Sequence, residues 1–305
     1  MINRIYQAVV SLITAIITLF NPIYGYEPAP IVNVNPNPIA QAEAYQDVTV
    51  MSYNVFIAGE EALSPDNRAP KLIENILRYK PDSFGVQEAD KAWTDRLEAG
   101  LNDYARAGTF RDDGITEGES SSVFYLKNKY KLIDSGDFWL SETPDEPSFG
   151  WDAACKRVCT YVILENKETG FTYAHFNAHF DHVGNIAKAE SVSLISRKIT
   201  EIAPDIPVIL TGDFNVAELS KNYRRVLESG MRDTKRLAED SAFGATYHGY
   251  NTLASLGMPI DFIFVNGYAS SVASYEIDRT EYEFGYASDH HPVISKITLF
   301  NGGTK

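Results

Sequence analysis

Hydrophobic and polar positions along the chain predict alternating strands and helices from Val48 onward. Residues 48–55 form a run rich in β-branched residues that reaches polar Asn54, a pattern typical of a strand. Apolar residues over 68–79 recur at the spacing of one helix face and predict a helix, which Pro81 ends. The same patterns predict a second helix over 185–202 and further strands over residues 82–86, 122–126, 130–140, 157–164, 171–177, 208–210, 260–265, 271–275 and 293–299. This order of elements indicates one mixed α/β domain over residues 47–300.

The first 46 residues differ in composition from the rest of the chain. Arg4 precedes an apolar run over residues 5–20, which is shorter than the roughly 20 residues that a membrane-spanning helix requires. Residues 1–25 are therefore predicted to be a secretory signal peptide or an uncleaved N-terminal anchor, and the protein is expected to be exported (secreted or periplasmic) or tethered to a membrane. Residues 26–46, rich in proline and asparagine, are predicted to be an extended, unpacked linker.

The charge balance limits the classes of partner. The 305 residues include 27 lysine and arginine residues against 41 aspartate and glutamate residues, a formal net charge of −14. Proteins that bind nucleic acid non-specifically normally carry a basic face, so nucleic acid is a disfavoured partner. The longest basic cluster, residues 221–225, is interpreted as a solvated helix face. A hydrophobic content of 44% and a charged content of 22% argue against a coiled coil or a disordered chain.

Two cysteines, Cys155 and Cys159, lie four positions apart. A regular strand would hold them too far apart for a disulfide, and one local disulfide and two free thiols stay open as alternatives. No second cysteine pair accompanies them and no histidine lies at ligand spacing, so the sequence does not indicate a zinc site.

Polar residues stand where the predicted strands end. Asn54, Glu88 and His179 close three apolar runs, and Asp213 closes a fourth. Each alone has a structural explanation as a turn cap or a buried histidine. Together they mix carboxylates, an amide and an imidazole in a way that capping does not require, at positions where a rigid sheet presents chemistry. The set favours phosphoester hydrolysis with a hard divalent cation, because Mg²⁺ binds oxygen ligands and retains several waters.

Each part of that reaction has candidate residues. The candidate ligands of the cation are Asn54, Glu88 and Asp289. Asp213 or His290 would accept the proton of the attacking water, and both stay open because coupled groups can share this role. The candidate donors to charged phosphoryl oxygens are His179 and Asn215. Asp261 is expected to hold His290 in one tautomer.

Six motifs follow one another along the chain: MSYNV at residues 51–55, VQE at 86–88, FNAHFDH at 176–182, TGDFN at 211–215, IDFI at 260–263 and SDHHP at 288–292. On these motifs, the chain resembles the endonuclease/exonuclease/phosphatase superfamily across residues 47–299. The resemblance implies an α/β fold, a four-layer α/β sandwich in which two mostly antiparallel sheets pack face to face with helices outside. It also implies a Mg²⁺-dependent hydrolase acting on phosphate esters, with Mn²⁺ as the alternative metal.

The resemblance also implies two sets of functional residues, position by position. The catalytic set is His179, Asp213, Asn215, Asp261 and His290. The metal-binding set is Asn54, Glu88 and Asp289. Motifs between residues 111 and 157 resemble an exported bacterial branch and add Glu119 and Arg157 as candidates for substrate binding. For these two residues, a surface ion pair is the alternative.

The resemblance does not select the substrate. The acidic charge favours a small or exposed phosphate ester, such as a sugar, inositol or lipid head-group phosphate, over a polynucleotide. Tyr282, Phe284 and Tyr286 alternate, and are interpreted either as a contact with a membrane surface or as half-buried strand or pocket wall. A secreted nuclease and a catalytically inactive binding module are the alternatives. The protein is expected to be a monomer.

Overall fold

The computed structural model describes residues 26–35, 42–57, 63–250, 257–283 and 285–302. The predicted signal peptide or anchor over residues 1–25, and the aromatic Phe284, lie outside these described residues. Within the described ranges, no helix combines the length and the apolar character needed to cross a membrane.

Strands and helices alternate through the described residues much as the sequence predicts. The strands are β1 (Ala42–Asn54), β2 (Ser83–Gln87), β3 (Tyr104–Ala107), β4 (Val123–Leu126), β5 (Tyr130–Trp139), β6 (Val158–Asn166), β7 (Thr172–His179), β8 (Val208–Asp213), β9 (Arg232–Asp233), β10 (Ala238–Ser241), β11 (Asp261–Val265), β12 (Ala269–Ile277) and β13 (Val293–Gly302). The helices are α1 (Pro65–Tyr79), α2 (Lys91–Gly100), α3 (Asn185–Ile202), α4 (Lys221–Glu228) and α5 (Thr234–Leu237). Every predicted strand and helix is present, with most ends displaced by a few residues.

The strands form two sheets. One has the order β10-β12-β13-β1-β2-β4-β3, and the other has the order β5-β6-β7-β8-β11-β9. Most neighbouring strands are antiparallel. However, β1 runs parallel to β2, and β7 runs parallel to β8. Each of these parallel pairs brings two strand ends to the same edge of its sheet.

Both faces of each sheet are buried by the packing of apolar side chains. A central cluster joins the two sheets and contains Val50 of β1, Val162 of β6 and Ile263 of β11, all fully buried. α1 and α2 cover the outer face of the first sheet, where Trp93 is buried. α3 and α4 cover the outer face of the second sheet. The resulting order of helices, sheet, sheet and helices confirms the predicted four-layer α/β sandwich.

Polar side chains also bridge the two sheets. His175 on β7 contacts the hydroxyl of Ser83 on β2 through Nδ1 and that of Thr211 on β8 through Nε2, both at 2.8 Å. Asn177, on the same face of β7, donates to the carbonyl oxygen of Val86 on β2 at 2.8 Å. These bonds fix the sheets relative to each other close to the edge where the polar residues gather.

The segment expected to be an unpacked linker is packed where the structure describes it. Residues 26–35 lie against α3 and its neighbours: the Tyr26 hydroxyl donates to Glu190 at 2.6 Å, and Val34 is 3% exposed within an apolar cluster. The reason is that apolar side chains stand between the prolines and asparagines and can be buried. The last part of the predicted linker also differs, because β1 begins at Ala42 and pairs there with β13.

Both cysteines are free thiols. Cys155 is partly exposed in the loop before β6, whereas Cys159 is buried within β6. The alternative of a local disulfide is therefore not the state that the structure shows.

Candidate active site

One edge of the two sheets gathers the polar ends of five strands. Asn54 ends β1 and pairs with the last residue of parallel β2, so that Glu88 follows directly beside it. In the other sheet, His179 and Asp213 are paired at the ends of parallel β7 and β8. Asp261 begins antiparallel β11, opposite Asp213. Strand register therefore brings these residues together although they are distant in sequence.

Asp213 lies at the centre of this arrangement. Its Oδ2 accepts a hydrogen bond from Asn54 Nδ2 at 3.0 Å, and lies 3.5 Å from His179 Nε2 and 3.8 Å from His290 Nε2. The same Asn54 amide donates to Glu88 Oε1 at 2.9 Å. Burial and the nearby carboxylate of Asp261 raise the pKa of Asp213 to about 7. A carboxylate with this pKa can accept a proton near neutral pH, as a general base must.

His290 is held in place by Asp261. Its Nδ1 lies 2.8 Å from Asp261 Oδ2, which fixes the ring and leaves Nε2 facing Asp213. Burial opposes a charge on this imidazole, but the surrounding carboxylates, Asp261 first among them, outweigh burial and hold the pKa of His290 well above its ordinary value. His290 therefore carries a proton that it can donate, or use to bind a phosphoryl oxygen.

His179 is the neutral histidine of the site. Burial, together with the guanidinium groups of Arg157 and Arg111, holds the pKa of His179 well below its ordinary value. Asn215 Nδ2 lies 3.1 Å from His179 Nε2, and the Asn215 backbone N–H donates to Asp213 Oδ1 at 2.9 Å. Asn215 has a φ of +48°, in the left-handed region, and this turn after β8 brings its amide back to the site.

The carboxylate side of the site fits a divalent cation. Asn54 and Glu88 are in contact, and burial and the charge of Glu88 help to raise the pKa of Asp289 to about 6. Two groups of side chains place their ligand atoms within 4.8 Å of one another: Glu88, His179 and Asp213, and Asp213, Asp261 and His290. Asp289, a predicted ligand, belongs to neither group. Carboxylate and amide oxygens are the donors that Mg²⁺ and Mn²⁺ prefer, and a cation would relieve the repulsion between the carboxylates.

The predicted pair Glu119 and Arg157 lies beside His179. Glu119 Oε2 is 3.9 Å from His179 Nδ1 and 4.0 Å from Arg157 Nη1. Both side chains are largely buried, with 13% and 6% of their surface exposed, which differs from the surface ion pair that was the alternative. Within the described residues, Nε and Nη1 of Arg157 have no hydrogen-bond partner. Nε lies 3.7 Å from Asp181 Oδ2 and Nη1 lies 4.0 Å from Glu119, distances too long for hydrogen bonds, so both N–H groups can still donate to an anion.

Three further residues support the site although no single motif assigns them. Arg111 forms the shorter ion pair with Glu119, at 2.6 Å. Arg68 on α1 donates to the carbonyl oxygens of Val55 at 2.6 Å and Ala287 at 3.0 Å, and so ties the turn after Asn54 to the last motif. Tyr247 is 37% exposed, and its ring lies 4.9 Å from that of His290. Arg68 and Tyr247 can be found only from the folded chain, because Ala287 and His290, their partners, are distant in sequence.

The aromatic residues before the last motif contact this chain in the part that the structure describes. The Tyr282 hydroxyl donates to the carbonyl oxygen of Lys71 on α1 at 3.0 Å. Tyr286 packs edge-on against His291, with ring centroids 4.9 Å apart. Both side chains are half-buried, in agreement with the interpretation as residues packed within this fold, whereas contact with a membrane stays a prediction.

Known proteins resemble the chain in sequence and in structure. A structure from Bacteroides vulgatus, described as an endonuclease/exonuclease/phosphatase, is 35% identical, has a TM-score of 0.80, and covers 83% of this chain and 99% of its own. A mannosyl-6-phosphatase from Bacteroides thetaiotaomicron is 33% identical, has a TM-score of 0.79, and covers 82% of this chain and 99% of its own. Mouse nocturnin is 26% identical over 292 residues, covering 83% of this chain but 66% of nocturnin.

The family model described as the endonuclease/exonuclease/phosphatase family matches residues 51–290. This range begins in β1 and ends at His290, and so includes all six motifs that the sequence presents, apart from the final residues of the last. The match covers most of the 305 residues. The chain therefore belongs to the endonuclease/exonuclease/phosphatase family.

Proposed function

We propose that the protein is a divalent-metal-dependent phosphomonoesterase that removes phosphate from a sugar phosphate. Family membership supports hydrolysis of a phosphoester, and the proposal adds the metal and the class of ester. The observation that carries it is the convergence on one point of a carboxylate that can accept a proton, Asp213, and a histidine that carries one, His290. Hydrolysis by water is assisted by a base for the attacking water and by a donor to the oxygens that become charged.

Each of the residues at this site has a separate role in the proposed reaction. Asp213 orients the attacking water and takes its proton. His290, kept charged by Asp261, binds a phosphoryl oxygen or protonates the leaving oxygen. Asn215 and His179 position the phosphate from the side of β7, where Nε and Nη1 of Arg157 lie near carboxylates without hydrogen bonds to them. Asn54, Glu88 and Asp289 would hold the cation, which when bound neutralises charge on the phosphoryl oxygens.

A sugar phosphate is favoured over other esters for two reasons. The mannosyl-6-phosphatase from Bacteroides thetaiotaomicron is 33% identical and is covered almost completely by the alignment. The half-exposed ring of Tyr247 beside His290 also provides an apolar face on which the ring of a leaving sugar can pack. The net charge of −14 opposes the binding of a polynucleotide, in agreement with a small substrate.

Hydrolysis by the purified protein tests this function. The protein is stripped with EDTA and assayed with and without Mg²⁺ or Mn²⁺ on mannose 6-phosphate, an inositol phosphate, a phosphodiester, single-stranded DNA and RNA. We expect metal-dependent release of phosphate, fastest from the sugar phosphate. His290→Ala should abolish it, whereas the neighbouring variant His291→Asn should retain it and serves as the matched control.

Two other outcomes would replace the proposal. Faster cleavage of RNA or DNA than of any monoester would make the protein a nuclease with the same catalytic residues. If the wild type hydrolyses none of these substrates, an inactive binding module would be favoured.

Export is a separate proposal, which rests on the apolar run over residues 5–20. Sequencing the N-terminus of the mature protein, recovered from its native cell fraction, tests it.

A further inference from the structure

A second cluster of metal-ligating side chains lies outside the catalytic centre. The thiol of Cys155, a carboxylate oxygen of Asp181 and a ring nitrogen of His182 lie within 4.8 Å of one another. Cys155 precedes β6 and His182 follows β7, and these two strands are neighbours in the second sheet. The fold thus supplies the histidine partner that the spacing along the sequence does not show.

The Asp181 carboxylate holds the two loops of this cluster rigidly together. Its Oδ2 accepts the backbone N–H groups of Ala154 at 3.0 Å and Cys155 at 3.1 Å. Its Oδ1 accepts those of Val183 at 2.9 Å and Gly184 at 2.7 Å. Four hydrogen bonds occupy the lone pairs of this carboxylate. Direct bonds to a metal therefore fall to the thiol and the imidazole, while the Asp181 carboxylate, 3.7 Å from Arg157 Nε, offsets the positive charge of that guanidinium.

The donor types select the metal. A thiolate and an imidazole are soft or borderline ligands, which bind Zn²⁺ in preference to Mg²⁺. His182 is exposed and Cys155 is partly exposed, so an ion and its waters can reach both. We propose that Cys155 and His182 bind a zinc ion, with waters completing its tetrahedron, at a site separate from the catalytic cation.

This site is connected to the catalytic centre through Arg157. Nη2 of Arg157 lies 3.2 Å from His182 Nδ1, and its Nη1 lies 4.0 Å from Glu119 beside His179. A zinc ion on His182 replaces or weakens the contact with Arg157 and adds positive charge next to it. Zinc should therefore raise the KM for a phosphate ester. This inhibitory effect rests on the proposed function, whereas zinc binding itself does not.

Cobalt spectroscopy tests the site without any need for activity. With Mg²⁺ in excess, Co²⁺ is titrated into the reduced protein, and thiolate-to-cobalt charge-transfer absorption is recorded in the near ultraviolet. We expect this band in the wild type and in Cys159→Ala, which removes the other, buried cysteine. The band should disappear in Cys155→Ser and weaken several-fold in His182→Gln. Absence of the band from the wild type, or its persistence in Cys155→Ser, would overturn the proposal.

Zinc inhibition supplies the second measurement. At saturating Mg²⁺, Cys155→Ser should match the uninhibited wild type, but should lose the zinc-dependent rise in KM. Equal zinc inhibition of both proteins would place the inhibitory zinc elsewhere, and would overturn the link to Arg157. Should no ester be hydrolysed, the proposed function fails while the cobalt band still decides the metal site.

Discussion

Asp261 faces Asp213 across the antiparallel pair of β8 and β11, and both carboxylates lie next to the imidazole of His290. All three side chains are buried, so their charges interact with little screening by water. Asp261 raises the pKa of both partners, which makes Asp213 a better base and His290 a charged donor. A single carboxylate that need not touch the substrate thus prepares both catalytic groups.

Asp261→Asn should therefore lower kcat by about 10²–10³-fold, the lower part of the range for the loss of general acid–base assistance, because Asp213 and His290 remain in place. Without this carboxylate, the pKa values of Asp213 and His290 both fall, so both limbs of the activity profile should move to lower pH. Asp289 also faces His290 and limits the shift. The measurement is kcat against pH for the wild type and the variant. An unchanged profile with a lower kcat would assign Asp261 a structural role only.

Substitutions at Tyr247 test whether its ring contacts the leaving sugar. Tyr247→Ala should raise the KM for a sugar phosphate by about two- to tenfold, since a lost aromatic contact is worth about 0.5–1.5 kcal/mol, and should leave kcat within a few-fold. Tyr247→Phe keeps the ring and should behave like the wild type. Phe243→Ala removes an aromatic side chain that is 79% exposed and serves as the control. A fall in kcat without a change in KM would contradict the assigned role.

The strand ends could be predicted from the sequence because strand periodicity and motif position coincide there. Asn54 and Asp213 each close an apolar run, and the register of the parallel pairs then brings them to one edge. The order of elements predicts a mixed α/β domain, and the resemblance to the family implies the four-layer sandwich. Residues that stand at the end of a strand can therefore be located from the local sequence pattern.

Other contacts depend on tertiary packing, which local pattern does not record. Tyr247 lies in an irregular stretch, with no period to place its ring near His290. Arg68 occupies the first turns of a helix and is buried by carbonyl groups from distant segments. Residues 26–35 resemble a linker in composition, yet Val34 is buried. In each case, the position of the side chain depends on residues that contact it from elsewhere in the fold, and the residue type alone does not predict it.

A substitution at Arg157 tests whether this side chain binds the phosphate group of the substrate. Arg157→Lys keeps the positive charge but lacks the planar pair of N–H donors, so kcat/KM for a monoester should fall by roughly 10–100-fold if a bidentate contact is lost. The adjacent variant Lys156→Met removes a charge whose Nζ bonds the carbonyl oxygen of Asp112, and should leave activity close to that of the wild type. Steady-state kinetics and the binding of inorganic phosphate provide the readouts. Unchanged phosphate affinity in Arg157→Lys would contradict this contact.

His175 makes the stability of the protein sensitive to acid. Burial between the sheets lowers the pKa of His175 to about 3. The unfolded chain binds a proton below an ordinary histidine pKa of about 6.5, whereas the folded chain does not until about pH 3. Protonation therefore favours unfolding as the pH falls through this interval. At pH 5, the loss from this one group amounts to about 2 kcal/mol relative to pH 8.

His175→Gln isolates this contribution from that of other titrating groups, including the buried carboxylates that act in the opposite direction. The variant should be less stable than the wild type at pH 8, because Ser83 and Thr211 lose a well-placed partner. The difference should shrink by about 2 kcal/mol at pH 5, where only the wild type loses stability through this histidine. Thr211→Val keeps the imidazole and should retain the dependence on pH of the wild type. Urea unfolding of the wild type, His175→Gln and Thr211→Val at both pH values measures these differences. If the difference in free energy of unfolding between the wild type and His175→Gln is the same at pH 8 and pH 5, the prediction is wrong and His175 does not titrate on unfolding.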